Sequence, residues 1–304
     1  MRHVLRDLLS GSVVSAISLA YCASFAAFIF AGPLAAGFAP GLNAILLGAG
    51  VSGVAVALGA SLKRVVAGPD TPVVAVFGAL CLSIAAAMPG GAAPEAVAAS
   101  ALAAIAVATA LTGLLLFAIG AARIGSAFRF VPYSVVAGFL VASGCLLIAG
   151  GFRVATGARM DLMEMERLGG VAAQHVGQLA FAAGFVAAVS LVRLGIRQFY
   201  VLPLAFFCLI GLVYAYLALR PEAAAAGWFL DPGALSPDDT GVGLHAFGGM
   251  RLVDALPYVL GSFGEIAAVA VISAMAFVLN TSGREAAWKT NADIDRDFRV
   301  NGLA

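Results

Sequence analysis

Charge is what this sequence has least of. Its 304 residues include 17 Lys+Arg and 16 Asp+Glu, 11% in all, where a soluble domain carries about 25%. That deficit excludes an ordinary water-soluble globule. A formal net charge of +1 supplies no electrostatic footprint for phosphates, so nucleic acid is not the expected partner. Histidine is scarce too. His3, His175 and His245 sit at ends or in loops, and there is no paired-His metal motif, nucleophile elbow or Gly-Lys phosphate loop. An enzyme reading therefore has no residues to stand on, and no metal or cofactor is expected. The four cysteines, Cys22, Cys81, Cys145 and Cys208, lie inside apolar stretches at no metal-like or disulfide-like spacing, which reads as four core thiols.

What is present is apolar sequence. Hydrophobic residues make up 62% of the chain, and uncharged stretches run over residues 8–62, 71–94, 96–122, 130–152, 168–192, 198–219 and 266–283. A bilayer core about 30 Å thick takes about 20 residues of helix to cross. Gly/Pro breaks and charge clusters then place eight spans near residues 9–31, 42–62, 70–88, 97–119, 130–151, 176–194, 199–219 and 257–280. The expected fold class is an all-α polytopic membrane protein. With the amino terminus in the cytoplasm, twelve basic residues fall inside: Arg2, Arg6, Lys63, Arg64, Arg123, Arg129, Arg193, Arg197, Arg284, Lys289, Arg296 and Arg299. Five fall outside: Arg153, Arg159, Arg167, Arg220 and Arg251. The positive-inside rule thus favours eight spans in the cell's inner (plasma) membrane with both ends cytoplasmic. Residues 220–256, with Glu222, Asp231, Asp238, Asp239, Asp254 and His245, read as a solvated outside loop. Gly48, Gly50, Gly53 and Gly59 of the second span are expected to let helices approach closely.

In a bilayer, an ionisable group or a broken helix is costly and marks a pathway by default. One segment has both, Lys63-Arg64-Val65-Val66-Ala67-Gly68-Pro69-Asp70-Thr71-Pro72. Gly68, Pro69 and Pro72 forbid a continuous helix there. If residues 65–69 run extended they reach about 16 Å, half the apolar core. A helix capped by Asp70 or Thr71 would then start near the midplane, its free N–H groups and positive dipole end open to a small anion. The other reading has Asp70 capping a full-length helix at the cytoplasmic surface, and the residues alone leave both open. Pro69, Asp70, Thr71, Pro72 and Val73 are the candidates to line an anion path. Glu265, eight residues past Pro257 and so about 12 Å into a helix, is a candidate for coupling, beside the alternatives of a buried structural acid or a shallow, solvated one.

The stretch Val66-Ala67-Gly68-Pro69-Asp70-Thr71-Pro72 resembles the broken third helix of the sulfate permease (SulP) family of anion transporters. Phe130-Val131-Pro132-Tyr133-Ser134-Val135-Val136-Ala137-Gly138-Phe139 is similar to that family's fifth helix. Leu279-Asn280-Thr281-Ser282-Gly283, Asp293-Ile294-Asp295-Arg296-Asp297 and Asn301-Gly302-Leu303-Ala304 resemble the connection after its eighth. The three matches fall in the family's order along the chain. The resemblance implies two inverted repeats of seven segments, usually followed by a cytoplasmic STAS domain. On that comparison residues 1–219 are the first repeat and 252–304 the start of the second, reaching the eighth helix and the start of the ninth. The tenth helix and the STAS domain would be missing, and the chain looks like a fragment. A bacterial subgroup with fused cyclic-nucleotide-binding-like domains is the nearest variant, on the residues Gly32-Pro33-Leu34-Ala35. The sequence departs from the family in the first helix, where Leu19-Ala20-Tyr21-Cys22 replaces Pro-Gln or Pro-Glu. It departs again in the eighth, where Val271-Ile272-Ser273-Ala274 stands in place of the family's glutamate. The implied function is secondary active transport of a sulfate- or bicarbonate-like anion by alternating access. The implied partners are the anion, the lipid bilayer and a second copy of the full-length protein. A nucleobase permease of the same fold and a non-transporting membrane scaffold are the alternatives.

Overall fold

The structure, a computed structural model, describes residues 2–62, 65–89, 91–125, 127, 133–158, 160, 165–195, 201–219 and 252–304. All regular secondary structure among them is helical. The elements are α1 (Arg2–Ile29), a 3-10 turn (Gly32–Gly37), α2 (Phe38–Gly59), α3 (Thr71–Ala87), α4 (Pro94–Ala121), α5 (Tyr133–Thr156), α6 (Met165–Gln174), α7 (Val176–Gly195), α8 (Val201–Leu219), α9 (Leu252–Gly261), α10 (Phe263–Trp288) and α11 (Ile294–Leu303).

Among the described residues, five segments are helical, long and apolar enough to cross a bilayer: Ser10–Ile29, Gly32–Gly59, Pro94–Ala121, Ala137–Thr156 and Phe263–Glu285. A bent pair, Leu168–Gln174 with Val176–Val192, makes up to six if it is one span, and Thr71–Ala87 and Leu204–Leu219 are shorter apolar helices. Their outer surfaces are greasy, with Leu58 81%, Val141 67%, Leu191 67% and Leu219 80% exposed. Water does not tolerate so much apolar surface, and a bilayer does. The architecture is that of a multi-pass helical membrane protein.

The chain divides into two compact units. In the first, residues 1–18 and 151–239, α6 and α7 meet at an 82° bend. His175 sits at that bend, its Nδ1 3.0 Å from the Val171 carbonyl. Phe185 of α7 stacks edge-to-face on Phe206 of α8 at 5.7 Å. Arg153, expected in an outside loop, instead lies in the last turn of α5 and is buried.

The second unit, residues 19–150 and 240–304, holds the core. Ala103, Ala104 and Ala108 are fully buried small residues on α4, and small side chains let backbones approach where no hydrophobic effect drives helices together. Leu80 and Ile84 of α3 and Ile266 and Val269 of α10 pack against them. α3 and α10 run antiparallel: Asp70 meets Asn280, and thirteen residues further along α3, Ser83 meets Glu265.

α11 packs along the C-terminal half of α4 in the opposite direction. A Cβ on Gly120 would stand 2.5 Å from the Asp295 carbonyl oxygen, and one on Gly113 would stand 2.8 Å from that of Gly302. The same helix holds the end of α2, where the Ser61 N–H and Oγ donate to Asp297 at 2.6 and 2.8 Å. Arg296 Nε donates to the Gly59 carbonyl at 2.9 Å. The C-terminal ends of α2 and α4 thus meet on one side, where α10 also ends, Phe277 stacking on Phe298 at 4.6 Å. α10 therefore runs in the same direction as α2 and α4.

Several expectations are corrected. Gly48, Gly50 and Gly53 have nothing within 4 Å of a Cβ position, and of the four glycines expected to let helices approach only Gly59 meets a neighbour, Val300. A run of small residues fixes no helix face by itself. Cys22 and Cys81 are buried, but Cys145 and Cys208 are exposed, as thiols on the outer faces of apolar helices are. The second span begins at Phe38, four residues before its expected start. Lys63, Arg64, Arg159, most of the acidic segment (220–251) and Phe130–Pro132 of the second motif lie outside the described residues.

Candidate functional site

Two cavities meet at the start of α3. Residues 65–70 carry no helix and lead into α3 at Thr71, so the Gly-Pro-Asp segment does break the helix, as its residues require. Asp70 takes the N-cap position with extended backbone (φ −92°, ψ 133°), and Pro72 sits in the first turn. The Asp70 carbonyl accepts from Val74 N–H at 3.0 Å, the first bond of the helix.

The Asp70 side chain does not cap α3, contrary to the expectation from sequence. It turns across to α10, where Asn280 Nδ2 donates to Asp70 Oδ2 at 2.6 Å. A carboxylate with a side-chain amide in reach gains a charge-assisted bond there. The first turn of α3 keeps its dipole end uncapped by any side chain.

One cavity, of about 260 Å³, lies on one side of the Asp70–Asn280 pair. Val66, Gly68 and Val73 line it from the segment around the break, Arg284 from α10 and Asp297 and Asn301 from α11. The other, of about 310 Å³, is lined by Thr71 and Pro72, by Phe139 and Ser143 of α5, and by Ala276 and Leu279 of α10. Asp70 and Asn280 line both. The two hydrogen-bonded side chains are thus common to both linings.

Of the candidates named from sequence, Asp70, Thr71, Pro72 and Val73 border one cavity or the other, with Pro69 in the extended lead-in. Glu265 is not brought to them. It stands in the first turn of α10 rather than about 12 Å into a helix, because the chain breaks at Ser262 after α9. Ser83 Oγ donates to it at 3.2 Å, and an acid in a first turn suits the helix dipole. Fifteen residues separate it from Asn280, about 22 Å along the helix.

Sequence reasoning missed three polar members of this site. Asn280 appeared only as part of a motif, Arg284 only as a topology marker, and Asp297 only as part of a connection. The available signal was the spacing of Asn280 and Arg284, four residues apart and hence on one helix face at the end of an apolar run. Among the described residues, no group of three or more His, Cys, Asp or Glu side chains could hold a metal ion.

Comparison with family models, with curated proteins and with solved structures finds no match.

Proposed function

We propose that this chain is the membrane part of a secondary transporter for a small anion, of the sulfate or bicarbonate type, working by alternating access as the SulP resemblance implies. The observation that carries the reading is the broken start of α3: an extended segment, an uncapped helix end and two cavities that share the hydrogen-bonded Asp70–Asn280 pair. Discontinuous helices with their N-termini turned toward a cavity are how membrane carriers bind anions without a dedicated cage. In this reading residues Pro69 to Val73 border the path, and a substrate moving between the cavities crosses at Asp70 and Asn280. Glu265 stands apart from that path and serves α10, not coupling.

The test is equilibrium binding of radiolabelled sulfate and bicarbonate to the purified chain in lipid nanodiscs, with uracil as competitor. Saturable anion binding is expected. Asn280→Leu should weaken it about tenfold or more, because it removes a donor and leaves the Asp70 carboxylate unpaired beside the anion. Absence of saturable anion binding, or displacement by uracil, would overturn the reading.

A further inference from the structure

We infer that Arg284 forms a subsite for a planar, singly charged oxyanion in the 260 Å³ cavity. The inference rests on the anion reading above and deepens it.

Arg284 lies one turn after Asn280 on α10, and both line this cavity. A guanidinium carries five N–H donors in a fixed fork and always bears its charge. Here Nη2 donates to Thr281 Oγ1 at 3.1 Å, while Nε is buried with no hydrogen-bond partner. Nε is enclosed, so an acceptor entering the cavity would meet the guanidinium at its terminal Nη groups, of which only Nη2 is engaged.

Two acids are near enough to act on the guanidinium through space, Asp297 and Asp70, yet each is engaged elsewhere. Asp297 accepts both the backbone and the hydroxyl hydrogen of Ser61. Asp70 accepts from Asn280. Neither acid accepts a hydrogen bond from the guanidinium, whose one hydrogen bond is to Thr281, and Arg284 lines the cavity.

Those charges also select the ligand. One guanidinium and two carboxylates leave the lining at a formal −1. A monoanion takes the ensemble to −2 and a dianion to −3, and the repulsion grows in a site away from bulk water. A planar monoanion such as hydrogencarbonate, nitrate or formate can present two oxygens to the fork. Sulfate offers the same edge with twice the charge. The flanking acids weaken the grip on any anion, as suits a site that must release its ligand as readily as it binds it.

Isothermal titration of the purified chain in nanodiscs with nitrate, formate and sulfate tests this. Nitrate and formate should bind more tightly than sulfate. Arg284→Gln should weaken both about tenfold or more and abolish the preference. Arg284→Lys should recover part of the affinity, since the charge is kept and the fork lost. Thr281→Val removes the same internal hydrogen bond but keeps the guanidinium, and it should bind like the parent, which a purely structural role for Arg284 would not allow. Unchanged nitrate and formate binding in Arg284→Gln, or tighter binding of sulfate than of nitrate in the parent, would overturn the subsite. If anion binding is lost in Asn280→Leu but not in Arg284→Gln, only the subsite falls. If the parent binds no anion, the transport reading falls with it.

Discussion

Asp297 fastens α11 to the end of α2, and removing its carboxylate should release that joint. The side chain is 6% exposed and accepts two hydrogen bonds from one residue, from Ser61 N–H at 2.6 Å and Ser61 Oγ at 2.8 Å. A hydrogen bond to a charged group contributes about 1.5–3 kcal/mol. The two here share a donor residue and an acceptor group, so about 3 kcal/mol for the pair is the reasonable sum. An acid in the first turn of α11 adds about 0.3–1 kcal/mol with the dipole. Asp297→Ala should therefore favour local opening by about 3–4 kcal/mol, a factor of a hundred or more in the open population. Hydrogen exchange read by mass spectrometry on a peptide covering residues 59–62, in nanodiscs, reports that population. Asp297→Asn keeps one acceptor and should show about half the effect in free energy. Asp293→Ala, which loses only the N-cap bond to Arg296 N–H, should cost about 1 kcal/mol. If exchange at residues 59–62 rises less than about threefold in Asp297→Ala, Asp297 does not hold the joint.

Two further outcomes are expected. Gly120→Ala would place its methyl 2.5 Å from the Asp295 carbonyl oxygen and 2.8 Å from Arg299 N, both backbone atoms that cannot swing aside, so it should destabilise by about 1–3 kcal/mol. Gly53→Ala meets nothing within 4 Å and should stabilise α2 by up to about 1 kcal/mol; thermal unfolding in detergent should move in opposite directions for the two, and a shared direction would contradict the packing of α4 on α11. In a cysteine-free background, cysteines at positions 64 and 284 should label with impermeant reagents from one side of the membrane and those at 159 and 238 from the other; labelling of 64 and 159 from one side would refute eight crossings.

The parts of this molecule readable from its sequence are those with a local cause. Long apolar helices follow from the length a bilayer demands, and the break before Thr71 follows from Gly68, Pro69 and Pro72, each of which disfavours helix through its own backbone. The parts that were not readable join residues far apart in the chain. Asp70 is an N-cap residue by position, and nothing local says that its side chain will choose Asn280, 210 residues away, over the amides of its own helix. Ser61 and Asp297 are separated by 236 residues. The depth of Glu265 was misjudged because Pro257 looked like a helix start, whereas it lies inside the short α9 and the break falls at Ser262.

Glycine shows the same division. The spacing of Gly48, Gly50 and Gly53 looked like a close-packing surface, and it is open, while Gly113 and Gly302, with no pattern between them, touch backbone to backbone. A small residue permits an approach without specifying the partner, so only the partner's position decides whether the permission is used. In this fold the partner is α11, whose Gly302, Asp297 and Arg296 reach α4 and α2 together. Loosening α11 should therefore disturb the cavity beside Arg284 as well, because Asp297 and Asn301 line it from that same helix.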